Sequence, residues 1–172
     1  MLGLDLSLSS PAAVAIPRGW RVGDWSTLTT LTFRTSAPDA PAGSSYEKER
    51  IARLQHISDR MLSFARCVKA ETCWVEDYGY SKRSSSVTKL AELGGVVRVD
   101  FLRVGLVVRP LTASTCRTLL LGKLPRSDQK IAVQNALFAA GAPKEWNEDT
   151  CDALVVANGA RAEQGLLFLS LA

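Results

Sequence analysis

Four carboxylates in this sequence stand where a carboxylate is costly. Asp5 interrupts the apolar opening run Leu2-Gly3-Leu4-Asp5-Leu6, and Glu76 closes the apolar stretch Thr72 to Val75. Asp149 and Asp152 lie three apart in the segment Asp-Thr-Cys-Asp-Ala-Leu-Val-Val-Ala. Burying a charge in apolar surroundings is expensive unless it is paired or metal-bound, and residues three apart on a helix share one side. Should the four acids converge, their mutual repulsion demands a cation. An all-oxygen donor set favours Mg²⁺ or Mn²⁺ over zinc or copper. The cysteines at 67, 73, 116 and 151 contain no CxxC pair and His56 is the sole histidine, which excludes a close-spaced zinc cluster. Plainer roles remain open for each acid. Asp5 can be a strand-edge or turn residue, Glu76 the start of a solvated loop beside Asp77, and Asp149 an acid at a helix N-terminus. Asp152 is harder to place on a surface, because Cys151, Ala153 and Leu154 surround it.

The elements that must position these residues follow from periodicity. Alternation over residues 2–8, with a turn at Ser9-Ser10-Pro11, predicts a first strand with Asp5 in its middle. Ala12 to Ile16 make a second strand, and residues 26–34 a third after the Gly23-Asp24 turn signal. Residues 35–45 are rich in Pro, Gly and Ser and read as a surface loop. From Ser45 to Lys69 the spacing becomes helical, with Ile51, Leu54, Ile57, Met61, Leu62, Phe64, Ala65 and Val68 on the apolar side. A short strand over 72–75 leads into Glu76-Asp77, and a helix over 84–102 presents Leu90, Leu93, Val97 and Leu102. Gly94-Gly95 inside that helix costs on the order of 1 kcal/mol per glycine, which points to close packing against another backbone, such as that of a partner subunit. Gly105 to Val108 is expected as a strand stopped by Pro110, followed by a short helix over 112–119 and a loop over 121–126. Ser127-Asp128 caps a helix over 129–140 that Gly141-Ala142-Pro143 ends, and a last helix covers 149–162. The order is a mixed α/β layout in one domain spanning residues 1–172, without internal repeats.

Composition narrows the class. The 172 residues are 47% hydrophobic and 22% charged, enough apolar material for one core without disulfides or a structural metal. No basic segment precedes the opening apolar run and no uncharged apolar window reaches 18 residues, so neither a signal peptide, a membrane anchor nor a spanning helix is expected. Scattered cysteines without close spacing suit a reducing, cytoplasmic setting. The net charge of +4 is unevenly distributed. Arg109, Arg117, Lys123, Arg126 and Lys130 face a single acid, Asp128, within residues 105–130, and residues 44–70 carry six basic residues against three acids. Basic residues that lie outside the acid cluster are where a nucleic-acid backbone needs them. A solvated helical face is the competing account for 44–70. Tyr78 and Tyr80, beside Lys82-Arg83, are candidates to stack on unpaired bases. Lys130 reads equally as a cation for a phosphate under attack or as a solvated lysine at a helix start.

Three motifs in order, Leu-Gly-Leu-Asp-Leu-Ser at the N-terminus, Trp-Val-Glu-Asp-Tyr mid-chain and Asp-Thr-Cys-Asp-Ala-Leu-Val-Val-Ala near the C-terminus, resemble the RuvC family of Holliday-junction resolvases. The resemblance covers nearly the whole chain and extends to Gly122 to Val133. It implies the ribonuclease H-like fold, a five-stranded mixed sheet flanked by helices on both faces. It also implies that Asp5, Glu76, Asp149 and Asp152 bind two divalent metals per active site, Mg²⁺ with Mn²⁺ able to substitute, and that Lys130 is the accompanying basic residue. The implied activity is resolution of four-way DNA junctions by paired symmetric nicks from a homodimer, with the Gly94-Gly95 helix at the interface. Tyr78, Tyr80, Lys82, Arg83, Arg117, Lys123 and Arg126 are the candidate DNA contacts. The chain departs from the family's bacterial members after Asp5, where Leu6-Ser7-Leu8 replaces an early glycine, and after Glu76, which suggests a divergent, phage-type relative.

Other readings predict different behaviour. A ribonuclease H or a branched-DNA or flap nuclease on the same fold would differ in substrate, and a non-catalytic DNA-structure-binding protein would not cut. A nucleotide-binding protein of the actin and sugar-kinase type also begins with a strand aspartate, but it needs a Gly-rich phosphate loop that does not follow Asp5 here.

Overall fold

The computed structural model describes residues 1–36, 44–77, 85–123, 129–166 and 168–171. Five strands form one mixed sheet: β1 (Leu2–Asp5), β2 (Ala12–Ala15), β3 (Thr29–Thr32), β4 (Cys73–Asp77) and β5 (Val108–Thr112). Their order is β3-β2-β1-β4-β5, antiparallel from β1 to β3 and parallel from β1 through β4 to β5. Helices α1 (Ser44–Cys67) and α2 (Ser85–Arg103) cover one face. Helices α3 (Ala113–Leu121), α4 (Gln129–Ala139) and α5 (Glu148–Glu163) cover the other. This is the ribonuclease H-like architecture, with β1 at the centre of the sheet.

Alternation along β1 and β4 decides which residues face which layer. Leu2 and Leu4 of β1, with Cys73 and Val75 of β4, pack under α1 and α2 against Leu54, Ile57, Met61, Leu93, Val97 and Phe101. Trp74 of β4 lies in the opposite core with Leu120, Leu137 and Leu154. Gly3 faces α5 so closely that a Cβ there would stand 2.3 Å from the Ala153 carbonyl oxygen and 2.5 Å from the Ala157 nitrogen. Only glycine lets the helix lie on the central strand at that spacing. Helix α5 is buried at every position from Thr150 to Arg161, as expected of a helix enclosed on all sides. Asn147 caps it, its side-chain oxygen accepting from the Thr150 amide at 2.9 Å and the Thr150 hydroxyl at 2.7 Å.

Several boundaries differ from the sequence expectation. The first strand ends at Asp5 rather than residue 8, because the Ser7 hydroxyl accepts from the amides of Ser9 and Ser10 and turns the chain. Asp5 therefore stands at a strand end and not mid-strand. The third strand is confined to Thr29–Thr32. Trp25–Thr27 form a single 3₁₀ turn, held by the Thr27 hydroxyl donating to the Asp24 carbonyl and the Ser26 hydroxyl to the Asp24 carboxylate. Pro110 does not stop the fifth strand but lies within it, which an edge strand allows. On α2 the buried series continues from Val97 to Phe101, leaving Leu102 63% exposed, and Ile51 of α1 is likewise exposed. Among the described residues no helix is long and apolar enough to cross a membrane.

Candidate active site

The same alternation that puts Gly3 against α5 aims Asp5 toward it. Parallel pairing of Leu4 with Val75 brings Glu76 of β4 alongside, on the face shared with Trp74. From above, the first turns of α5 supply Asp149 and Asp152. The capped start of α5 and the ends of β1 and β4 thus deliver four acids to one end of the sheet.

Their closeness registers in Asp5. Burial, then the negative charges of Asp152, Glu76 and Asp149, push its carboxyl well above the usual aspartate range, against the pull of Lys130. Burial also raises Glu76, opposed by the Arg117 guanidinium and reinforced by Asp152. Asp152 is itself only 5% exposed. It is neutralised from two sides. Arg117 of α3 donates through Nη2 to Asp152 Oδ1 at 3.1 Å and lies 3.9 Å from Glu76 Oε2, and Lys130 Nζ stands 3.2 Å from Asp152 Oδ2. Lys130 also bonds Glu148 at 2.5 Å. Partial burial works against its ammonium, but the hydrogen bond to Glu148 and the charge of Asp152 outweigh this and hold its pKa above that of an ordinary lysine.

The donor set is four carboxylates in a partly desolvated, self-repelling group, which suits hard divalent cations. Among the described residues, no three acids are set closely enough to hold one ion as they stand. Two side-chain cations hold Asp152 in this arrangement, so a divalent ion would have to compete with Arg117 and Lys130 for that carboxylate.

Of the expected DNA contacts, Lys123 is exposed. Arg117 is turned inward to the acids, its side chain only 14% exposed, and its Nε is buried without a hydrogen-bond partner. Tyr78, Tyr80, Lys82, Arg83 and Arg126 lie outside the described residues, as do positions 37–43 of the expected loop. Glu148, the partner of Lys130, carries no signal in the sequence beyond its place next to Asp149. Gly94 is buried and Gly95 exposed, and a Cβ at either would meet nothing within 4 Å among the described residues. Close backbone packing within the chain is therefore not the reason for this pair.

The three-dimensional arrangement closely matches two solved structures. One, described as Thermus thermophilus RuvC, aligns over 96% of this chain and 97% of its own with a TM-score of 0.62 and 19% identity. The fold is that of RuvC. A second, T. thermophilus RuvC in complex with a Holliday junction substrate, aligns over 95% of this chain and 94% of its own, with a TM-score of 0.64 and 18% identity. No protein-family model and no curated protein matches the chain by sequence. Similarity to RuvC thus resides in the fold rather than in sequence identity along the chain.

Proposed function

We propose that this chain is a divalent-metal-dependent, structure-selective endonuclease that resolves four-way DNA junctions by paired symmetric nicks. The observation that carries the reading is the gathering of Asp5, Glu76, Asp149 and Asp152 at one sheet end of a RuvC fold, with Asp5 on the central strand. The Holliday junction in one of the matching RuvC structures favours branched DNA as the substrate.

In this reading Asp5, Glu76, Asp149 and Asp152 hold two Mg²⁺ ions, with Mn²⁺ a substitute. Such a pair of ions supplies Lewis-acid stabilisation of the attacking and leaving oxygens of an in-line displacement. Asp5, at the end of the central strand amid the other three acids, would be a ligand. Asp149, on the more exposed turn of α5, is a ligand or orients the attacking water. Arg117 and Lys130 hold the Asp152 carboxylate in its orientation. Lys130, beside Asp152, would offset charge on the phosphate under attack. Lys123, with Arg126, Lys82 and Arg83, supplies phosphate contacts outside the acid group, and Tyr78 or Tyr80 stacks on bases opened at the branch point.

Two matched nicks require two active sites related by two-fold symmetry, which a homodimer provides. The exposed side of α2 is the candidate interface. Gly95, Val96, Val99 and Arg103 line a groove of about 470 Å³ there, shared with Gln55 and Glu92, and Val99 and Leu102 are 49% and 63% exposed. The absence of a side chain at the exposed Gly95 lets a second helix approach closely. Action on DNA within the cytoplasm accords with this reading.

The test is incubation of purified protein with a four-way junction, a fork, a flap and an RNA–DNA hybrid, each with and without Mg²⁺. Symmetric paired nicks confined to the junction and dependent on the metal are expected. Cutting of flaps and forks as readily as junctions would shift the reading to a general branched-DNA nuclease, hybrid-only cutting to a ribonuclease H, and binding without cutting to a structure-binding protein.

A further inference from the structure

A cavity of about 80 Å³ opens on the other flank of the acid group, where the chain leaving β1 meets the N-terminal halves of α1 and α2. Leu8, Tyr46, Arg50, Arg53, Leu54, Lys89 and Glu92 line it, placing three cations and one anion around a ring and two leucines. Leu8 is three residues beyond Asp5, so at roughly 3.3–3.6 Å per residue its Cα lies within about 11 Å of that of Asp5. The cations Arg117, Lys123 and Lys130 come from α3, the segment after it and α4, on the opposite face of the sheet. The acids therefore stand between two cationic groups.

The three lining cations are held differently. Arg53 is fixed: Nε donates to the Thr35 hydroxyl at 3.1 Å, while Nη2 donates to the carbonyls of Leu8 and Thr35. This clamp ties the segment after β1 to α1 and gives the cavity a stationary wall. Arg50 is bound by Glu47 at 2.8 Å and also pairs with Glu92 across the helices. Lys89 is exposed and makes no hydrogen bond or ion pair among the described residues. A rigid wall, an apolar floor and a lysine outside any ion pair among the described residues suit an anion borne on an organic group.

We propose that this cavity is a backbone-phosphate subsite, taking a phosphodiester of the DNA strand a few nucleotides from the scissile one. Lys89 is its ligand-facing cation, and Tyr46 and Leu54 lie under the attached sugar. The proposal rests on the nuclease reading above and adds a second contact line to it, so that the strand is gripped on both flanks of the acids.

The experiment measures four-way junction affinity as a function of salt, with Ca²⁺ replacing Mg²⁺ to prevent cleavage, for the wild type, Lys89→Ala and Lys89→Arg. Loss of one phosphate contact lowers the log–log salt slope by about 1. Lys89→Ala is expected to bind about 3–10-fold more weakly at low salt with that smaller slope, and Lys89→Arg to restore both. Glu92→Gln, which removes the one acid among the described lining residues, is expected to tighten binding. Wild-type affinity and slope in Lys89→Ala would overturn the subsite while leaving the nuclease reading intact. A wild type that binds no DNA would overturn both.

Discussion

Arg117 Nη2 lies 3.1 Å from Asp152 and 3.9 Å from Glu76, bridging the helix α5 and the strand β4 that supply two of the four clustered acids. Breaking a largely buried pair by removing one partner costs about 3–5 kcal/mol, because the remaining charge is left uncompensated. Arg117→Ala is therefore expected to lower the melting temperature markedly in the presence of a chelator. Adding Mn²⁺ should recover much of that loss, since a divalent ion takes over the role of the missing cation. Equal destabilisation with and without Mn²⁺ would show that Arg117 acts on packing and not on the acids.

Asp152→Asn keeps the side-chain shape and removes the charge that Arg117 and Lys130 both address. Junction cleavage should fall by more than about 100-fold, since even outer-shell changes cost 10–100-fold in metal affinity or activity. Junction binding should survive. An electrophoretic shift paired with a single-turnover cleavage assay separates the two, and a variant that still cuts would remove Asp152 from the metal site.

Asp5 sets stability against pH in a definite direction. Its carboxyl is raised in the native state by burial and by Asp152, Glu76 and Asp149. As pH rises from the ordinary aspartate value of about 3.9, the unfolded chain therefore ionises first and native stability falls. The fall ends once the native pKa is passed, and the penalty is constant above it. Asp5→Asn should accordingly melt higher than the wild type at neutral pH in chelator, with the gap closing as the pH approaches 4. Mg²⁺ or Mn²⁺ should raise the wild-type melting temperature and leave that of Asp5→Asn nearly unchanged.

Gly3→Ala tests the contact that seats α5 on the sheet. The added methyl group would fall 2.5 Å from the Ala157 nitrogen, and backbone cannot yield as a side-chain tip can. Overpacking of this kind costs about 1–3 kcal/mol or more. Denaturant unfolding should show that loss. Because the same displacement moves Asp152 away from Asp5, cleavage should drop beyond what the unfolded fraction explains.

Much of this was legible in the sequence, for reasons that can be stated. Two-residue alternation assigns Gly3, Asp5, Trp74 and Glu76 to one face, and the Asp149–Asp152 spacing assigns those two to one side of a helix. The motifs therefore carried both the fold and the acid group. Boundaries set by side-chain-to-backbone bonds were less visible, as with the Ser7 turn that ends β1 at Asp5. Pro110 read as a stop because its edge position depends on strand order, which no local window contains. Counting charges put Arg117 among the DNA contacts. Its inward direction follows from where α3 leaves β5, a relationship settled only by the tertiary packing. On α2 the buried positions recur every four residues at 93, 97 and 101, so Phe101 is buried and the expected Leu102 is not.

Of the four thiols, Cys73, Cys116 and Cys151 are buried, and burial first of all pushes their pKa values up to about 12, 11 and 11. Cys67 alone is exposed, at the end of α1 beside Met1 and so at the pole of the sheet remote from Asp5. The native chain thereby carries a ready-made attachment point for a spectroscopic probe. A spin label or fluorophore placed there without mutagenesis would report distances between two copies, or between protein and a labelled DNA arm, with the cleavage chemistry undisturbed.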